Sequence, residues 1–236
     1  MIECSVCNTT NDHLATICKS CGAYLQTRTD SLDLFQTAWN VLENPKKAFH
    51  TIAVATHKNY SYIIPAIAGY AFVFFLFWLL RAGEYTNSLL NFLAAGFVAG
   101  PPFGILAVLI FSVVISILLR ARGRDVSFRN CMAVISYSLI PVVVSVFIVL
   151  PLEIMTFGLF FFTSNPSPYL LKPFSYVALL VLDGIFSAWT LILISFGVKT
   201  LTGRRWIESA AYELIAIGFL TGLFYWLYKM YFPVIE

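Results

Sequence analysis

YIIPAIAGYAFVFFLFWLL, residues Tyr62–Leu80, decides the fold. Nineteen consecutive positions carry no charged side chain, so a helix drawn through them has no polar face. Crossing a hydrocarbon core roughly 30 Å thick takes about 20 such residues. A soluble domain would have to hide this segment, whereas lipid accepts apolar side chains on every side once the backbone groups bond within the helix. Four further stretches read the same way: Phe97–Leu119, Met132–Leu152, Phe174–Val198 and Ala210–Phe232. Overall composition agrees. The 236 residues are 59% hydrophobic and 11% charged, with a mean hydropathy of +0.82, against about 25% charged in ordinary soluble domains. An all-α membrane protein is predicted, with a bundle of five transmembrane helices and the lipid bilayer as its first partner. The net charge of +3 gives no footprint for a nucleic-acid partner.

Proline and glycine punctuate the apolar stretches. Gly100-Pro101-Pro102 is expected to interrupt the second, because proline lacks an N–H and crowds the preceding turn. Leu89–Ala99 then reads as an interfacial piece or a bent first turn. Pro141 is expected to kink the third span, and Pro151 to mark its exit. Ser164–Tyr169, SNPSPY, is a turn cluster and reads as a loop.

The basic residues orient the bundle. Lys19, Arg28, Lys46, Lys47 and Lys58 precede the first span; Arg120, Arg122, Arg124 and Arg129 follow the second; Lys199, Arg204 and Arg205 follow the fourth. The opposite side holds only Arg81, Lys172 and Lys229. Positive-inside bias places the rich side in the cytoplasm. The N-terminus is then cytoplasmic and the C-terminus lies across the membrane. The start, MIECSVCNTT, lacks the basic and apolar regions of a signal peptide, so the first span is expected to do the targeting.

Three segments follow: a polar, cysteine-rich head at 1–27, an amphipathic juxtamembrane linker at 28–58 and a membrane domain at 59–236. In the head, Cys4-Ser5-Val6-Cys7 and Cys18-Lys19-Ser20-Cys21 form two CxxC pairs. Two such knuckles complete a closed tetrahedral site suited to structural Zn²⁺. Gly22 follows the last ligand, where a positive φ is often required. So short a segment cannot build a hydrophobic core, so the metal would supply most of its folding free energy. Disulfides are disfavoured in a reducing compartment, and a thioredoxin-like redox pair would need a surrounding βαβ unit. His13, between the knuckles, reads as a surface residue. Cys131 reads as packing.

In the linker, Asp30 or Ser31 is the expected helix cap, and Leu32, Phe35, Trp39 and Leu42 recur at helical spacing. Lys46, Lys47, Ala48, Phe49, Ile52 and Ala53 begin a second amphipathic set after Pro45. Such helices either lie in the headgroup plane or pack beneath the bundle, and both readings stand at this point.

Within the spans, Asp183 is the one central acid, in LLVLDGIFSAW, with Glu153 near the outer end of span three and Glu213 near the inner end of span five. An ionised carboxylate at that depth costs on the order of 3 kcal/mol on insertion scales. With no intramembrane base beside it, Asp183 is expected to be protonated or hydrogen-bonded, facing a Ser, Thr or Tyr of a neighbouring span. Phe224, Tyr225, Trp226, Tyr228, Tyr231 and Phe232 read as an interface belt. No catalytic motif is present, and the chain is not expected to be an enzyme.

Taken together, WNVLENPKKAF (Trp39–Phe49), ISYSLIPVVVSV (Ile135–Val146) and KTLTGRRWIESAAY (Lys199–Tyr212) resemble the Yip family of membrane proteins, named for interaction with Ypt/Rab GTPases. The resemblance covers about residues 30–232. It implies a compact five-span bundle and, with a zinc ribbon at the N-terminus, a prokaryotic-type member residing in the cell membrane, where Rab partners are absent. Two functions follow. One is a non-enzymatic adaptor or scaffold in membrane organisation or trafficking, its zinc head recruiting a cytoplasmic protein, with homo-oligomerisation left open. The alternative is a small transporter or channel using Asp183.

Overall fold

The structure is a computed structural model that describes residues 1–26, 31–123, 126–203 and 205–231. It opens with a two-stranded ribbon, β1 (Ile2–Glu3) antiparallel to β2 (Thr10–Asn11), with Ile2 opposite Asn11. Two ten-residue helices follow, α1 (Leu34–Glu43) and α2 (Pro45–Val54). The rest is α3 (Ile63–Leu79), α4 (Leu89–Ala121), α5 (Phe128–Ser138), α6 (Ile140–Phe157), a one-turn α7 (Pro168–Leu171), α8 (Pro173–Thr202) and α9 (Trp206–Tyr231). By length and composition, Leu89–Ala121, Phe128–Phe162 and Pro173–Thr202 can each cross a membrane, and Ile63–Leu79 is a shorter apolar helix. At 1.5 Å per residue, α3 reaches about 26 Å, close to the hydrocarbon thickness. Of the expected aromatic belt, the side chains of Phe224, Trp226, Tyr228 and Tyr231, and all of Phe232, lie outside the described residues. So do Asp30, Arg28, Arg124 and Arg204.

The break expected at Gly100-Pro101-Pro102 is absent. α4 runs through both prolines as one 33-residue helix, of which Leu89–Ala99 is the first third. Prolines are tolerated in membrane helices where a packed neighbour holds the turn, and α3 is that neighbour. A Cβ on Gly69 would lie 2.0 Å from the Gly100 carbonyl oxygen, and one on Gly104 would lie 2.1 Å from the Pro65 carbonyl oxygen. Gly96, Gly100 and Gly104 recur every four residues, a ridge that lets two backbones touch. Against Gly96 rests the Phe74 ring, which also packs edge-on to Phe77 and Phe97.

The third span is two helices. Leu139, with φ −78° and ψ 1°, joins α5 to α6, and Pro141 sits in the first turn of α6. There its missing N–H removes no intrahelical bond. Pro151, expected at the exit, lies inside α6, which continues to Phe157. The stretch Ile135–Ser138 is fully enclosed. Ser136 Oγ donates to the Ser61 carbonyl at 2.8 Å and Tyr137 Oη to the Asn59 carbonyl at 3.0 Å. These bonds tie α5 to the turn that enters α3.

The linker packs under the bundle. Phe49, Ile52 and Ala53 of α2 share one core with α5 and α8. Asp33, two or three residues later than expected, caps α1, accepting from the Gln36 N–H at 2.8 Å. The expected apolar stripe of α1 is divided, because Thr37 and Val41 turn inward while Phe35 and Trp39 remain exposed. Lys58 Nζ closes the end of α2, donating to the carbonyls of Ile52 at 2.6 Å and of Ala53 and Ala55 at 3.1 Å.

Substituting Gly69 with Val drives a side chain into the α4 backbone. Overpacking usually costs about 1–3 kcal/mol, and contact with backbone places this case at or above that range. Thermal unfolding in detergent should show a marked loss for Gly69→Val. Gly218→Ala, whose Cβ meets nothing within 4 Å, should unfold like the parent. Equal stability of Gly69→Val and the parent would contradict the described α3–α4 contact.

Candidate functional site

The head is built around sulfur. β1 leads into Cys4 and Cys7, and the turn between them closes through the Asn8 N–H donating to the Cys4 carbonyl at 2.8 Å. The second knuckle repeats this, with the Gly22 N–H donating to the Cys18 carbonyl at 3.0 Å. Each knuckle ends in a left-handed residue, Asn8 at φ 57° and Gly22 at φ 72°. Asparagine is among the residues that tolerate this conformation, which is how the first knuckle does without glycine.

All four Sγ atoms lie within 4.8 Å of one another. Cys4 and Cys21 are 3.5 Å apart, as are Cys7 and Cys18. A tetrahedral ion with Zn–S bonds of about 2.3 Å needs S···S separations of about 3.8 Å, so the donor set fits a metal ion of that size. The thiols are also electrostatically uneven. Backbone N–H groups of Cys21 and Ser20 hold the Cys18 thiol down to about 6. Cys21 is lowered by the Ala23 N–H, yet Cys7, burial and the other thiols push it up to about 12. Four thiolates crowd one another unless a cation sits between them.

Asn11 is a residue that spacing alone did not single out. Nearly enclosed, its Nδ2 donates to the Thr9 carbonyl at 2.8 Å and reaches Cys18 Sγ at 3.5 Å, while its Oδ1 accepts from the Lys19 N–H at 3.0 Å. It clamps the two knuckles together. His13 was expected on the surface; it is partly buried instead. Its Nε2 lies 2.9 Å from the Thr200 carbonyl of α8, and Gly203 packs beside the ring. The head is thus seated on the end of the bundle where α4 finishes and α5 begins, beside Val126, Ser127 and Leu201.

A second cluster lies inside the bundle. Asp183 of α8 accepts a hydrogen bond from Ser145 Oγ of α6 at 3.2 Å. Glu153, three helical turns away in sequence on α6 from Val142, lines the same cavity of about 640 Å³ as Asp183. That cavity lies between α3, α6 and α8, with Ile217 of α9 at its edge. The sequence placed Glu153 apart, near an outer end. A separate buried acid, Glu213 of α9, accepts from Ser195 Oγ of α8 at 2.5 Å. Cys131 is wholly buried in α5.

A helical bundle with apolar faces turned outward and few charges inside defines an integral, multi-pass membrane protein. A family model described as Yip1 domain matches residues 39–231, and the chain belongs to that family. No curated protein and no solved structure matches the chain. The matched range takes in every long helix and leaves the cysteine cluster outside it.

Asn11→Ala should weaken binding of Zn²⁺ or Co²⁺ by about 10–100-fold, the usual cost of losing a group that orients metal ligands. Competition with a chromophoric chelator on the full-length protein would measure it. An unchanged affinity would show that the clamp does not govern the site.

Proposed function

We propose that this Yip-family protein is a non-enzymatic membrane adaptor or scaffold whose head holds a structural Zn²⁺ through Cys4, Cys7, Cys18 and Cys21. In this reading residues 1–27 form the zinc-ribbon head, 28–58 the juxtamembrane linker and 59–236 the membrane domain. Head and basic loops face the cytoplasm and the C-terminus lies opposite. All four sulfurs are needed by the ion, so no open coordination position remains for catalysis.

The observation that carries the reading is how the head is presented. It is seated on the bundle through His13 and Thr200, yet Val6 and Tyr24 are each 71% exposed and Ile17 is 47% exposed. Apolar groups held outward on a small, metal-set module at a fixed place above the membrane suit capture of a cytoplasmic protein. The family's association with membranes is compatible with a recruiting role, and the partner here would be read by the head.

The test is affinity capture from membranes with the parent, with a Val6→Ser/Tyr24→Ser pair and with Cys18→Ser. The expected result is a partner retained by the parent and lost from both variants, while the variants still insert and remain monodisperse. An identical partner set for all three would end the adaptor reading.

The alternative, a small transporter or channel, is favoured by the cavity that reaches Asp183. Reconstituted flux that falls sharply in Asp183→Asn is its expected signature, and equal flux would remove Asp183 from any such path.

A further inference from the structure

The cavity between α3, α6 and α8 has a composition that selects its occupant. Two carboxyls, Glu153 and Asp183, line it, and no Lys, Arg or His does so among the described residues. Asp183 is served by Ser145. Glu153 is only 5% exposed; its side chain hydrogen-bonds that of Asp183, while its Oε1 has no hydrogen-bond partner among the described residues. A buried carboxyl oxygen left without a donor is destabilising, so the site as it stands is short of a cationic or proton-donating group. Apart from Ser187 its remaining walls are mostly apolar and aromatic, among them Phe74, Trp78 and Phe161.

Several occupants fit poorly. A bare metal ion wants six or more oxygen ligands if it is Ca²⁺, or near-octahedral oxygen and water if it is Mg²⁺, and this cavity offers two carboxyls and a few hydroxyls among rings. A proton alone would answer the charge but would leave the outward-opening cavity of about 640 Å³ to whatever else can enter it. A phospholipid amine would bring its phosphate against two carboxyls. Asp183 also lies ten residues into α8, about 15 Å from its start, far below the headgroups. What remains is a cation that carries its own apolar body. Aromatic faces attract such cations, and pockets of roughly 300–1,000 Å³ with a few placed polar groups hold molecules of that size.

We infer that this cavity is a binding site for a small amphiphilic organic cation, its charged centre held by Glu153 and Asp183 and its apolar body against Phe74, Trp78 and Phe161. The inference deepens the transport reading by naming the ligand class of the same cavity, and it does not depend on the head. Ser145 positions Asp183. Gly184, where an added Cβ would meet nothing within 4 Å, lies on the cavity wall and leaves it room.

The experiment is equilibrium binding of radiolabelled tetraphenylphosphonium to the full-length protein in dodecyl maltoside, which carries no amine. One saturable site per chain is expected, weakened at least tenfold in Glu153→Gln and in Asp183→Asn. Gly184→Leu, which fills the space without touching charge, should weaken it equally, and it covers the event that a carboxyl variant does not fold. Neutral triphenylphosphine oxide should fail to compete, as should added phosphatidylethanolamine. Binding that is unchanged in folded Glu153→Gln and Gly184→Leu, or equal competition by the neutral compound, would overturn the site. Displacement by phosphatidylethanolamine would overturn the assignment to a free cation. Reconstituted flux is then measured separately: binding with no flux ends the transport reading and leaves the site standing.

Discussion

The bundle depends on one contact, the backbone-to-backbone approach of α3 and α4 at Gly69, Gly100 and Gly104. In water, two apolar helices associate because both leave solvent. In lipid that drive is missing, so helices hold together through close van der Waals packing and the few polar bonds they can share. Gly69 and the glycine ridge allow that packing where any side chain would prevent it. The same contact explains why α4 carries two prolines without breaking, since the turn they weaken lies against a rigid neighbour. Polar bonds complete the frame: Ser136 and Tyr137 fasten α5 to the approach of α3, and Ser195 fastens α8 to Glu213 of α9. Each satisfies a group that lipid could not.

Holding α3 against α4 has a consequence on its other side. α3 packs on α4 and α6, while α8 packs on α5, α6, α2 and α9. α6 packs on both α3 and α8, and the space between those two is where the cavity opens. On the α8 face, Asp183, Gly184 and Ser187 are small or polar and stand between Leu180 and Leu191. A space left by packing and lined by two acids is different from a random defect, because a buried carboxyl oxygen there lacks a donor.

How much of this was legible beforehand varied with how local the cause was. The membrane class was plain, because it follows from composition and from the length of apolar runs. The gathering of the four cysteines was plain too, because CxxC spacing is a local fact. Pro101 and Pro102 misled because a proline's effect depends on what supports its turn, and the support comes from Gly69, thirty-odd residues earlier. Glu153 was set aside as an end residue, since nothing in a linear string says that it and Asp183 face one space. Asn11 has only its place between the knuckles as a signal, and asparagines in loops are common. The divided face of α1 shows the same limit: Phe35 and Trp39 match a helical period, but so do Thr37 and Val41, and tertiary packing chose the latter pair.

Head and bundle are coupled by chemistry that neither would reveal alone. A histidine between two knuckles would in many ribbons be a candidate ligand. Here four clustered sulfurs would suffice for a tetrahedral ion, and the imidazole instead reaches the Thr200 carbonyl near the end of α8. Carbonyls in the last turn of a helix lack intrahelical partners, so such a terminus accepts a donor readily. α8 therefore presents a carbonyl to the head at one end and, some seventeen residues earlier, a carboxyl to the cavity. One rigid helix touches both features, and a change in how the head is seated would be felt first by the helix that carries Asp183.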